Sequence, residues 1–184
     1  MTVRDIAMSA ASILQADDIA EALGGFDGTE VSSLDADAQT LIKCVNLAKN
    51  EISNEFPVIV TTEADAINGL IPMSALDNVS CVKGVTDMHG GTIAFTADSR
   101  GIKVSHDGRY TVAYARLPYD AEIDEQVIFG SGIDADTAAY LTARYYCIIT
   151  GRTDEAAVWD QLYNNAAESK RICRRAAIPR RKFL

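Results

Sequence analysis

The order of local patterns along the chain predicts an α+β fold in which N- and C-terminal helices form a helical bundle with an inserted small antiparallel β-domain and a basic C-terminal tail. Apolar residues recur every three or four positions before residue 56 and again after residue 134. Between these stretches the period shortens, and β-branched residues cluster between Gly, Asp and Asn turns. Connections are short and no β-α-β alternation occurs, which argues against a doubly wound sheet. The expected boundaries are 1–56 and 130–175 for the bundle, 57–129 for the β-domain and 176–184 for an extended tail. With 184 residues, 48% of them hydrophobic, the chain is long enough for one domain carrying a smaller insertion.

Each element has a local reason. Thr2 followed by Asp5 is a helix N-cap signal, and Val3, Ile6, Ala10, Ile13 and Leu14 then keep helical spacing to about Gln15. Residues 17–35 read as a short acidic turn, a Gly24-Gly25 break and a polar loop. From Asp35 to Glu55 the positions Leu41, Val45, Ala48 and Ile52 step by four, three and four, giving a helix of about five turns that Pro57 ends. Strands are expected at 58–62, 79–85, 92–97, 101–105 and 110–117, arranged as an antiparallel meander with hairpin turns at Gly90-Gly91 and Asp107-Gly108. After 127–129 and the loop Gly130-Ser131-Gly132, Asp134 caps a helix with Ala138, Leu141, Tyr145 and Ile148 on one stripe. Gly151 is a good residue to end it. Thr153 then caps a last helix with Asp154 and Glu155 in its first turn and Lys170, Arg171, Arg174 and Arg175 in its last, matching the helix dipole at both ends; Pro179 stops it. Neither terminal pair of helices can bury its stripe alone, so the bundle is expected to pack through Leu41, Val45, Ile52, Leu141, Tyr145, Trp159, Leu162 and Tyr163.

Charge divides the chain more sharply than hydropathy. The formal net charge is -9, yet the last fifteen residues, KRICRRAAIPRRKFL, hold seven cations and no anion, leaving -16 for residues 1–169. Three readings of this tail are open. As a nucleic-acid arm its cations neutralise phosphates with strong salt dependence. As a docking peptide, Arg174, Arg175, Arg180, Arg181 and Lys182 pair with acidic groups on a protein partner while Ile178, Phe183 and Leu184 supply apolar anchors. As a plain frayed helix end it accounts for Arg174 and Arg175 but not for the later cations or the apolar terminus. The apolar anchors favour docking.

Several classes are disfavoured. No apolar run approaches the roughly 20 residues of a bilayer span, and the first fifteen residues lack the apolar region of a signal peptide, so a soluble protein made in the cytoplasm is expected. Cys44, Cys81, Cys147 and Cys173 lie far apart without C-x-x-C spacing and are read as reduced thiols. His89 and His106, the two histidines, sit in predicted turns with no ligand-spaced partner. The acidic run 120–125 lacks the glycine and spacing of an EF-hand loop. Gly130-Ser131-Gly132 is followed by Asp134 and Asp136, which repel an anion from that helix start. Phosphate-loop, dinucleotide-fold and hydrolase-elbow motifs are missing. The expectation is therefore a non-enzyme with no catalytic residues, cofactor or metal; a small hydrolase using His89 or His106 is the weak enzymatic rival. The aromatic set Tyr140, Tyr145, Tyr146, Trp159 and Tyr163 is read as core and subunit packing, since a base-stacking platform would lie in the acidic body.

The stretch Ala139-Tyr-Leu-Thr-Ala-Arg-Tyr-Tyr146, then Gly151-Arg-Thr-Asp-Glu-Ala156, then Trp159 and Tyr163 and the basic tail, resembles the head-to-tail adaptor (connector, head-completion) proteins of tailed bacteriophages. The opening Thr2-Val-Arg-Asp-Ile-Ala and a second helix ending in Glu55-Phe56-Pro57 are similar to adaptors of short-tailed phages. The resemblance implies a structural virion protein of the neck, synthesised in the bacterial host cytoplasm. It further implies a homo-oligomeric ring, usually dodecameric, with portal protein above, a tail or nozzle protein below, and DNA passing through without specific binding. Residues 176–184 correspond to the segment that docks on the portal ring. Alternatives are a nucleic-acid-binding module using the basic tail, or another neck component such as a tail terminator or stopper.

Overall fold

The computed structural model describes residues 1–27, 31 and 34–175; the side chains of Ser131 and of residues 172–175 are outside that description. The chain divides into two compact units, one made of Met1–Phe56 with the chain from Tyr119 onward, the other of Pro57–Pro118. Among the described residues, five α-helices and two small antiparallel sheets give the α+β class that the patterns predict.

In the helical unit, local chemistry starts the helices where the sequence places the caps. Thr2 Oγ1 accepts the Asp5 N–H at 3.1 Å and the Asp5 carboxylate accepts the Thr2 N–H at 2.7 Å, a reciprocal box that opens α1 (Val3–Ile13) and holds Asp5 below the usual carboxylate range. Residues Asp17–Gly24 form a helix, α2, where the sequence reading has only a turn. Ile19 and Leu23, one helical turn apart, both reach the core, and tertiary burial sustains a helix too short to persist alone. Asp35 accepts the Ala38 N–H at 2.7 Å and opens α3 (Ala36–Glu55). Asp134 does the same for α4 (Ala135–Ile149), and Gly151, at φ +79°, turns the chain after it. In α5 (Thr153–Arg175) the Arg152 carbonyl already accepts the Ala156 N–H at 3.0 Å, so Thr153 is the first helical residue rather than the cap. α4 is the central helix, packed against α1, α3 and α5.

The expected boundary at 129 moves to 118. Ala121, Ile123 and Val127 are buried in the same core as the helices. Asn46 on α3 clasps this segment as a strand would: its Nδ2 donates to the Ala121 carbonyl at 3.2 Å and its Oδ1 accepts the Ala121 N–H at 2.9 Å. The Arg4 N–H donates to the Ile123 carbonyl at 2.8 Å and the Val127 N–H to the Met1 carbonyl at 2.9 Å. The Arg4 guanidinium lies bidentate on Asp124 at 2.8 and 3.0 Å and also donates to the Leu23 carbonyl at 3.1 Å and to the Phe26 carbonyl. The acidic run 120–125 is thus stitched to α1 and α3.

The β unit is antiparallel throughout but is not a meander. Strands β1 (Ile59–Ala66), β2 (Leu70–Pro72), β3 (Val79–Asp87), β4 (Thr96–Asp98), β5 (Gly101–Lys103) and β6 (Gly108–Arg116) form one sheet in the order β1-β6-β3 and a second in the order β2-β5-β4. The last strand takes the centre of the larger sheet because it carries the bulkiest inward residues, Tyr110, Val112 and Tyr114, all buried with Val85, Ile71 and Ile102. Pro72, which cannot donate to a ladder, sits on an edge strand.

Two turn assignments change with this topology. Asn68 and Gly69, at φ +53° and +69°, make a two-residue hairpin turn in which Ile67 and Leu70 exchange N–H···O bonds of 3.1 Å. Asp107-Gly108 joins no pair of bonded strands: β5 pairs with β2 and β4, and the Asp107 carboxylate accepts the Gly69 N–H at 2.6 Å. Gly90-Gly91 does turn the chain, with the Asp87 N–H donating to the Gly91 carbonyl at 2.9 Å, although the strand expected over 92–97 shrinks to Thr96–Asp98.

Candidate docking surface

The sequence points to the end of the last helix, so the site is built from what holds α5. This helix buries Ala156, Tyr163 and Ala167 and half-buries Trp159, whose ring stacks on Tyr140 with centroids 6.2 Å apart and planes 12° from parallel. That apolar seam is narrow for 23 residues. Polar links complete it.

Glu51 and Glu55 are one turn apart on α3 and face α4 and α5. Arg144 bridges Glu51 at 3.1 Å and Asp160 at 3.2 Å, while the Tyr145 hydroxyl donates to Glu51. The Tyr163 hydroxyl donates to Glu55 at 3.2 Å; Arg171 pairs with Glu55 and, at 3.0 Å, with Glu168. Lys170 reaches the α4 cap, Asp134, at 3.1 Å. Burial and the Glu51 carboxylate push the Tyr145 hydroxyl up to about 12, and burial with Glu55 raises Tyr163 further in the same direction. Exposed pairs of this kind contribute under about 1 kcal/mol each, yet arranged along one seam they fix the last turns of α5 against α3 and α4.

Bonds from the Thr137 hydroxyl and N–H and from Lys170 hold Asp134 at about 2, down from 3.8. A carboxylate favoured in the folded state contributes stability above its unfolded value that disappears as pH falls through the folded one. We expect the helical unit to lose stability between about pH 4 and pH 2, and Asp134→Asn to flatten that part of the curve. Urea midpoints measured across this range in both proteins check it.

Of the seven tail cations, Lys170 and Arg171 are thereby committed to intramolecular pairs. The helical backbone continues through Arg175, as the sequence predicts. The side chains of Arg174 and Arg175, and all of Ile178, Arg180, Arg181, Lys182, Phe183 and Leu184, lie outside the described residues.

Among the packing residues, Leu41, Val45, Ile52, Leu141 and Tyr163 are buried, and Tyr145 and Trp159 lie half-buried at the edge. Leu162 does not pack: it is 38% exposed, as Ile148 on α4 is 46% exposed. Leu162 is adjacent to Tyr163 and so points about 100° away around the helix, off the seam. Sequence reasoning missed Glu51 and Glu55 as the polar hub; their spacing of four on α3 was the available signal.

Acid is distributed unevenly between the units. Before residue 170 the helical unit carries twenty carboxylates against five Lys and Arg, whereas the β unit carries six against five. The charge contrast is therefore between the helical unit and its own C-terminal segment. Among the described residues no group of three or more His, Cys, Asp and Glu side chains converges as a metal site, and no helix is long and apolar enough to cross a membrane. His89 and His106 are exposed in turns. Cys44 and Cys147 are buried free thiols, with burial pushing Cys44 up to about 12, and Cys81 is an exposed one. The chain matches no protein-family model and no curated protein sequence.

Proposed function

We propose that the chain is a structural virion protein, a head-to-tail adaptor that forms an oligomeric ring between the portal and the tail of a phage and extends the DNA channel. The observation that carries this reading is the separation of charge, with an acidic helical unit and a cationic, apolar-ended segment leaving a helix whose last turns are pinned. An acidic wall repels phosphates, so DNA slides past it without being held. The segment 176–184 acts as a strap that docks in a groove of the portal ring, with Arg and Lys on its acidic groups and Ile178, Phe183 and Leu184 in apolar pockets. Pinning α5 by Glu55 and Asp134 sets where the strap departs.

Light scattering of the chain mixed with its portal ring tests this. The expected mass is that of the portal plus about one copy per portal subunit, and removal of residues 176–184 should abolish the increase, a loss of at least about a hundredfold in affinity for a multi-anchor peptide. Undiminished binding by the truncated chain sinks the strap. Tight duplex binding by the full chain, falling steeply with salt, would favour the nucleic-acid arm instead.

A further inference from the structure

The β unit has a cleft that the adaptor reading does not use. It has a volume of about 790 Å³ and lies between the Asn68-Gly69 turn and the 100–107 segment, with Arg100, Lys103, Ser105 and His106 along its walls. That volume suits a small organic ligand.

The walls are built rather than draped. Asp98 accepts the backbone N–H of Arg100 at 2.9 Å and of Gly101 at 3.3 Å, which sets the turn carrying the first cation. On the opposite side the Val104 N–H donates to the Gly69 carbonyl at 2.9 Å and Asp107 takes the Gly69 N–H, closing the base. The two cations lean on Asp98 at 3.5 Å from Arg100 and 3.2 Å from Lys103, but their side chains remain 75% and 51% exposed. Most of their donor capacity therefore faces outward. Asp107 lines the cleft and Asp98 pairs with both cations from behind, so the charges balance, and what the cleft offers a ligand is the exposed donors of Arg100 and Lys103 rather than a net positive charge.

We propose that this cleft binds a phosphate group, free or carried on a small organic body. A planar guanidinium that bonds two oxygens at once, an ammonium, a hydroxyl and a carboxamide match the several acceptors and double charge of a phosphomonoester. A single carboxylate would engage only part of that set. Leu70 and Val104, both half-buried, offer the organic body an apolar wall. The proposal is independent of the ring reading, since it concerns the β unit alone.

Amide chemical shifts of the full chain, titrated separately with inorganic phosphate, glucose 6-phosphate and acetate, test it residue by residue. Both phosphates should give saturable shifts centred on 68–70 and 100–107. Equal affinity marks the phosphate group alone as the ligand, and tighter glucose 6-phosphate marks a carried one. Arg100→Gln and Lys103→Gln should each weaken binding about tenfold while leaving the β6 amides in place. If either variant disturbs β6, the shift map of the unaltered chain decides. Shifts confined to the cationic segment 170–184, shifts that fail to saturate, or an equal response to acetate would overturn the site.

Discussion

Gly101→Ala should destabilise the β unit by about 3 kcal/mol, more than any other single methyl addition to its glycines. Gly101 is buried and pairs on both sides, with Pro72 of β2 and Asp98 of β4. A Cβ there would lie 2.3 Å from the Ile71 carbonyl oxygen and 3.1 Å from its carbon, and the obstacle is backbone of the neighbouring strand rather than a side chain that can swing away. Relief requires β2 and β5 to separate, which exposes Ile71 and Ile102, both fully buried. Gly84→Ala is the matched control. Its Cβ would meet nothing within 4 Å, and the cost should stay within about 0.5 kcal/mol. Hydrogen exchange of the Leu70, Ile71 and 96–103 amides reads the β unit directly, because the single Trp, Trp159, reports on the helical unit. Equal protection in the two variants would refute the clash.

The second large effect separates two leucines that the sequence treats alike. Leu141 is fully buried in the helical core on the central helix α4, so Leu141→Ala leaves a cavity there and should cost about 3 kcal/mol. Leu162, 38% exposed, should tolerate alanine within about 0.5 kcal/mol. Urea unfolding followed by Trp159 fluorescence measures both. A comparable loss at Leu162 would show that this face of α5 is covered by another surface in solution, as in a self-associated ring, and its concentration dependence would reveal that.

The helices were legible because their signals are local. Thr2, Asp35 and Asp134 cap as their side chains and spacing demand, and Gly151 takes the positive φ that ends α4. α2 was illegible because its stability comes from Ile19 and Leu23 meeting a core assembled from distant residues. The Asn68-Gly69 hairpin follows from a strong local signal, while Asp107-Gly108 carries a similar one and joins no paired strands. Turn residues permit a reversal, but the pairing of the flanking strands decides whether a hairpin forms.

The candidate docking surface divides in the same way. Composition alone separates a cationic end from an acidic body and points to the last helix. The sequence cannot show that Lys170 and Arg171 are committed to Asp134 and Glu55, since those partners lie 36 and 116 residues away along the chain. By itself, then, the sequence determined the α+β class, the caps that start three helices and the charge division, all set by neighbouring residues or by sums over them. Only the tertiary structure decided the central place of β6, the end of the insertion at Pro118 and the pinning of α5. Each of these depends on which buried surfaces meet, and burial is a property of the folded whole.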